Sequence, residues 1–332
     1  MKQVFRPIEA VIAVTLKCNA RCVMCNIWKN KPIGEVKPEF YRKLPSSLKE
    51  INITGGEPFL RSDLPEIISV IKKTCPQARL LINTNGYLIN QIKKMLPHII
   101  KTDPNIALRV SLDGFGHIHD HVRGLPNFYE KAIQTLDFCR NSNVKDLGVS
   151  YTLMEQNKNQ LIQMYKFCQK RHLEFSLTVA TDSPIYFGTG KIILRPKADN
   201  DLKSILFTLV NYQYRSHYAK EWVRAWFNER LWKFINTGIR YFPCQAGKDF
   251  FYLDSFGKVY TCHLQPWLLG DLNELALSQI FSSSLAKKTN ERVKRCQNCW
   301  MVCTARSVIK KHFFQLFSEI LLGKFTAHFK QV

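Results

Sequence analysis

Six short apolar runs, Val11–Leu16, Ile51–Thr54, Leu80–Asn83, Ala107–Leu112, Gly148–Leu153 and Glu174–Val179, recur along the first half of the chain. Between them stand stretches with helical spacing of apolar residues, among them Leu64–Lys73, Asn90–Leu96, Tyr129–Asn141 and Asn159–Lys170. Strand and helix in strict turn leave few folds open, because each strand must reach its neighbour through a crossover that is right-handed. The strands are near-continuously apolar, as parallel strands covered on both faces are. Six units fall short of the eight of a closed barrel, so the alternation predicts an α/β chain with a partial (βα)6 TIM-like barrel over residues 8–185. Ligands of such sheets sit at the carboxyl ends of the strands, which is where attention goes first.

Beyond the barrel the pattern changes. Pro184, Gly188 and Gly190 mark a loop over Asp182–Gly190. Residues 186–242 read as a helical bridging segment, with Trp222, Trp226 and Trp232 among Lys and Arg in Leu202–Ile235. An aromatic stripe at helical spacing is usually core, and base stacking is the competing use. Residues 243–305 form a small Cys-rich α+β domain in this reading, and residues 306–332 a basic amphipathic C-terminal helix.

The chain has 11 cysteines in 332 residues. The polar segment Met1–Pro7 leads into a strand rather than a signal-peptide core, and no apolar run is long enough to span a bilayer. These features predict a reducing, cytoplasmic setting, in which clustered cysteines serve metals or catalysis more often than disulfides. Cys18-Asn-Ala-Arg-Cys22-Val-Met-Cys25 follows the first strand directly. Three thiolates so close together can take three corners of a cubane iron–sulfur cluster and leave the fourth iron open. Structural zinc takes four protein ligands, and the nearest His is His98. Cys75, Cys139 and Cys168 stand singly in helical patterns and read as small buried hydrophobes.

The triplet at the end of a first strand resembles the signature of the radical S-adenosylmethionine superfamily. Gly55-Gly56-Glu57-Pro58 at the second strand's end is similar to that family's GGEP motif, Asn83-Thr84-Asn85-Gly86 ends the third strand, and Ser111-Leu112-Asp113-Gly114 the fourth. His119-Asp120-His121-Val122-Arg123-Gly124 is similar to the HDxxRG stretch that follows. The resemblance covers about residues 8–180. It implies a catalytic [4Fe-4S] cluster on Cys18, Cys22 and Cys25, with S-adenosylmethionine chelating the open iron. It also implies reductive cleavage to a 5′-deoxyadenosyl radical and hydrogen abstraction from a substrate, with a flavodoxin or ferredoxin as reductant. Cofactor contacts are implied for Gly55, Gly56, Glu57 and Pro58 around the methionyl amine, and for Asn85, Ser111 and Asp113 around the ribose or carboxylate. Arg123 pairs with the carboxylate or locks its own loop against Asp113 or Asp120, and Met154 walls the adenine. The residue before the third Cys is often aromatic in the family; here it is Met24, whose thioether can fill that space.

Near the C-terminus Cys244, Cys262, Cys296, Cys299 and Cys303 recur, with Gly257 in a G-x4-C arrangement before Cys262 and with C-x2-C-x3-C at the end. Phe250–Cys262 reads as a hairpin turning at Asp254–Gly257. Cysteines at a hairpin and a knuckle read as a metal site. They resemble the auxiliary-cluster module called SPASM, in its shortened twitch form, which implies a second [4Fe-4S] cluster on Cys244, Cys262, Cys296 and Cys299, with Cys303 able to replace one of the last pair. A zinc knuckle is the competing reading.

The formal charge is +22, a field that favours an anionic partner. Relatives with such modules often modify peptides, so the expected reaction is a peptide or protein modification. Radical modification of an anionic small metabolite (a sugar, nucleotide or lipid precursor) is the alternative. From another class, a metal-stabilised nucleic-acid binder or cluster carrier would account for the charge and the cysteines but not for GGEP. In the tail, Ile309, Phe313, Leu316, Phe317, Ile320 and Leu321 recur at helical spacing opposite Lys310, Lys311 and Lys324. Such a helix either docks on the barrel or lies on the cytoplasmic face of a membrane.

Overall fold

The computed structural model describes residues 7–188 and 194–329, so Gly190 and residues 330–332 lie outside it. Six parallel strands form the barrel wall: β1 (Glu9–Thr15), β2 (Glu50–Gly55), β3 (Arg79–Thr84), β4 (Ala107–Ser111), β5 (Asp146–Leu153) and β6 (Glu174–Val179). Each pairs with the next in parallel register, as Ile12 with Ile53 and Ile53 with Ile82. The crossovers carry α1 (Leu64–Thr74), α2 (Ile89–Thr102), α3 (His117–Arg123), α4 (Phe128–Asn141) and α5 (Leu161–Lys170). Every residue of β1 is buried, which is what a parallel strand covered on both faces requires. The expected strands match to within two residues at each end. The short α3, rich in His and closed at Gly124 with φ 75°, escaped the periodicity because seven residues are too few to show it.

The sheet does not stop at β1. On the side away from β2, β1 pairs in parallel with β7 (Phe250–Leu253), Glu9 beside Phe250. β8 (Lys258–Tyr260) and β9 (Leu268–Asp271) follow in antiparallel order, giving β6-β5-β4-β3-β2-β1-β7-β8-β9. The turn between β7 and β8 falls where the hairpin was expected, with Asp254 Oδ1 accepting from the amides of Phe256 and Lys258. The cysteine-rich region therefore hangs from the barrel's own first strand.

The aromatic segment forms two helices, α6 (Asn200–Arg215) and α7 (Ala219–Thr237), broken where Trp222 Nε1 donates to the Ser216 carbonyl. Trp226 is fully buried, and Trp222 and Trp232 pack against the core, so these rings are structural. Two small helices, α8 (Leu277–Ser282) and α9 (Ser284–Lys294), precede the last cysteines. The tail is two helices, α10 (Val302–Lys311) and α11 (Phe313–Phe329). In α11 Leu316 and Ile320 are buried while Phe313 and Phe317 are about half exposed, so the apolar side read from the sequence is divided between core and surface. Among the described residues no helix is long and apolar enough to cross a membrane.

Candidate functional site

The loop after β1 carries Cys18, Cys22 and Cys25 over the carboxyl ends of the strands and is pinned there by backbone. Gly56 donates to the Thr15 carbonyl at 2.7 Å, Glu57 to Lys17 at 2.8 Å, Arg21 to Arg123 at 2.9 Å and Val23 to Val122 at 3.0 Å. The two glycines serve this packing. A Cβ on Gly55 would lie 2.2 Å from the Thr15 oxygen, and one on Gly56 2.0 Å from the Lys17 oxygen, distances no side chain can occupy. They admit the backbone of the cysteine loop itself.

A cavity of about 180 Å³ lies under this loop. Its lining holds Cys18, Cys22, Met24, Cys25, Gly55, Gly56, Asn85, Ser111 and Arg123 of the residues expected there. Glu57, Pro58, Asp113 and Met154 are not among its lining residues. Glu57 is fully buried, and its carboxylate accepts from the Asn85 amide (2.7 Å), the Thr84 hydroxyl (2.7 Å) and the Phe59 amide (3.1 Å). Three of its acceptor positions are taken by the turns after β2 and β3, which it braces from behind the cavity wall. Burial pushes its carboxyl up to about 7, against the pull of those donors. Pro58 starts a short 3-10 turn behind it.

Asp113 is likewise sealed. It pairs with Arg123 at 2.5 Å and accepts from the Thr152 amide at 2.7 Å. Arg123 thus locks its loop through Asp113, while Asp120 caps the amides of Asn127 and Tyr129. Arg123 still reaches the cavity, its guanidinium 3.6 Å from Cys22 Sγ. Met154 is buried with Val122 and Ala180, with Met24 packed against them.

Residues not foreseen complete the lining. Tyr186 joins Thr54 Oγ1 at 2.7 Å and donates to the Gly55 carbonyl at 2.8 Å. Phe187 accepts the Asn26 amide through its carbonyl at 2.7 Å, and Met301 arrives from the C-terminal region. Their signal was faint: an aromatic pair just after Pro184 and a Met midway between Cys299 and Cys303.

In the second set, Cys244, Cys262 and Cys299 share one buried cluster with Phe250 and Leu264. Cys296 lies close enough to Cys244 and Cys299 for their charges to interact. Cys303 packs on the neighbouring cluster of Tyr186 and Tyr252, together with Cys18 and Cys25, and its charge interacts with those of Cys262 and Cys299. A further cavity of about 200 Å³ lies within the barrel beside Cys303, lined by Asn52, Asn83, Arg109, Ser176, His263 and Arg306, among others.

All eleven cysteines are free thiols. Burial pushes Cys18, Cys25 and Cys262 up to about 12 and raises Cys22 and Cys303 as well. Thiols so placed keep their protons until a metal takes the proton's place. Among the described residues no three His, Cys, Asp or Glu converge as one bound ion requires. A cubane seats each thiolate on a separate iron, so the donor sets suit clusters better than a zinc knuckle. Cys75, Cys139 and Cys168 are buried in the core.

The radical SAM superfamily profile matches residues 12–168, and that of the iron–sulfur cluster-binding SPASM domain matches residues 244–300. The sporulation killing factor maturation protein SkfB of Bacillus subtilis is 22% identical over 88% of this chain and 69% of its own length. The antilisterial bacteriocin subtilosin biosynthesis protein AlbA of the same organism is 25% identical over 85% of this chain and 61% of its own. Among solved structures, native anSMEcpe with bound AdoMet and Cp18Cys peptide superposes with a TM-score of 0.66 at 17% identity, covering 97% of this chain and 99% of that one. SuiB of Streptococcus suis gives 0.65 at 17% identity, covering 91% of this chain and 72% of that one. At such identities the structures show a shared fold.

Proposed function

The chain belongs to the radical S-adenosylmethionine superfamily and carries a SPASM iron–sulfur domain, and from that premise we propose that it is a maturase acting on a peptide or protein. The observation that carries the reading is the meeting of Cys18, Cys22 and Cys25 with Met24, Gly55, Gly56, Asn85 and Ser111 around one cavity, with a second buried set of cysteines in the C-terminal region. When bound, the cluster and S-adenosylmethionine supply one electron and a 5′-deoxyadenosyl radical that takes a hydrogen atom from substrate.

The chain's own residues do the rest. Cys18, Cys22 and Cys25 hold three irons of the first cluster. Gly55 and Gly56 let the cysteine loop close on the barrel, Glu57 braces the turns below it, and the Arg123–Asp113 pair holds the far side. In this reading Met24 and Ser111, which line the cavity, wall the cofactor, and Tyr186, Phe187 and Met301 separate the radical from water. Cys244, Cys262, Cys296 and Cys299 are our assignment for the auxiliary cluster, with Cys303, whose charge reaches Cys262 and Cys299, able to replace one of the last pair. The likeness to a killing-factor maturation protein and a bacteriocin biosynthesis protein, and to anSMEcpe with its bound peptide, supports a peptide substrate. Arg109 and Arg306 beside the second cavity are already paired with Asp146 and Glu50, so it is the net charge of +22 that keeps an anionic small metabolite as the second reading. A flavodoxin- or ferredoxin-type reductant, a cytoplasmic setting and contact of α11 with a membrane surface belong to the same proposal.

Anaerobic reconstitution with iron and sulfide, followed by dithionite and S-adenosylmethionine, tests it. Two clusters' worth of iron and release of 5′-deoxyadenosine are expected. Loaded protein that never cleaves S-adenosylmethionine would overturn the reading. A panel of small peptides encoded beside the gene, scored by mass change, then decides between peptide and metabolite.

A further inference from the structure

We infer that α11 is an anionic-membrane docking element, because its polarity is inverted. The helix carries two residues among Asp, Glu, Lys and Arg, namely Glu319 and Lys324, and both turn toward the protein. Glu319 accepts from Trp226 Nε1 at 2.8 Å and from the Tyr241 hydroxyl at 2.7 Å, and pairs with Arg230 at 2.7 Å. Lys324 donates to the carbonyls of Tyr214 and Ser216, each at 2.9 Å, over the ring of Trp222. Leu316, Ile320 and Ala327 are buried on the same side, and Gly323 lies so close to Tyr214 that a Cβ would meet its ring at 2.4 Å.

What faces outward is apolar. Phe314 is 93% exposed, Leu322 65% and Phe325 61%, with Phe317 and Phe313 about half exposed beside them. The exposed polar residues between them, Gln315, Ser318 and Thr326, carry no charge. A surface helix in water keeps its charges outside and its apolar stripe inside. Here the charges are bonded to the protein and the phenylalanines are left out, which suits a non-aqueous neighbour.

A bilayer surface is the occupant that fits. The stripe runs along a helix about 26 Å long, a straight band that can lie in the headgroup plane. Lys310 and Lys311 at its start are half exposed but paired with Glu9 and Asp249, so attraction to anionic headgroups comes from the net charge of +22. Because no described helix is long and apolar enough to cross, the contact is peripheral. A cavity of about 500 Å³ at the barrel's amino-terminal end includes Ile309, Lys310 and Phe313 in its lining, so docking would set that cavity beside the lipid headgroups.

The test is sedimentation of the full chain with vesicles of phosphatidylcholine alone or mixed with phosphatidylglycerol. Retention on the mixed vesicles, weakening as salt is raised, is expected. The combined variant F314S/F317S/L322Q should lose on the order of tenfold in retention while keeping its melting temperature and 5′-deoxyadenosine production. No retention on either vesicle overturns the proposal, as does equal retention on both. It is also overturned if sedimentation shows wild-type dimers that the variant dissolves, since a second copy then covers the face. Vesicle binding is read without substrate, so its failure leaves the radical chemistry standing, and the reverse holds too.

Discussion

Cys18, Cys22 and Cys25 occupy eight residues of one loop, whereas Cys244 and Cys262 flank a hairpin and Cys296 and Cys299 sit in a knuckle two helices further on. Each set has a buried arginine beside one sulfur. Arg123 lies 3.6 Å from Cys22 and Arg240 3.5 Å from Cys299. The difference is in the counter-charge. Arg123 is balanced by Asp113 at 2.5 Å. Arg240, 5% exposed, bonds only to neutral groups and that sulfur among the described residues: the Cys299 and Phe242 carbonyls, Thr304, and the face of Trp300. A buried charge is costly unless something of opposite sign is near. The second set therefore needs its anion from the site itself, from thiolates or a cluster. The first set carries its own compensation and can leave an iron open.

Several measurements can break or sharpen this contrast. The largest effect belongs to C22A, which should lower 5′-deoxyadenosine production on the order of a thousandfold or more, followed by mass spectrometry, while the second cluster's iron remains. C262A should do the opposite, roughly halving bound iron but leaving S-adenosylmethionine cleavage measurable; loss of both clusters would show that the sets are one folding unit. G56A, which sets a methyl 2.0 Å from the Lys17 oxygen, should cost about 2–4 kcal/mol in denaturant melts and empty the first site selectively.

The carboxylate beneath the first set gives a pH signature with no counterpart at the second. Burial raises Glu57 to about 7 from its ordinary 4.5. Its contribution to stability is full below the unfolded value and is lost as pH rises through about 7. Melting temperature should therefore fall across that window, and E57Q should flatten the fall. R240M should lower the second cluster's reduction potential by on the order of 60 mV, read by spectroscopic titration, because a cation favours the reduced, more negative state. C303S should be the mildest, leaving the iron count unchanged; a halved count would put Cys303 in place of Cys296 or Cys299.

Some of this was written locally. The six strands were legible because parallel strands are continuously apolar, and the cysteine triplet because its ligands are neighbours in the chain. Gly55-Gly56 was legible as a place of close approach, though what approaches is the loop bearing Cys18. Tyr186, Phe187 and Met301 carried little sequence signal, since their role is to meet across more than a hundred residues of chain. Glu57 and Asp113 belonged to the right motifs, yet their acceptor oxygens are already bonded to backbone and to Arg123.

The sequence by itself determined the alternation of strand and helix, the donor atoms of both cysteine sets and the excess of positive charge. These follow from residue type and short-range spacing. Tertiary structure alone decided that β7 extends the barrel sheet from β1, that Arg123 is neutralised and Arg240 is not, and that α11 turns its charges inward. Each of those depends on which distant groups share a buried space, where a missing partner carries a free-energy cost that no local pattern records.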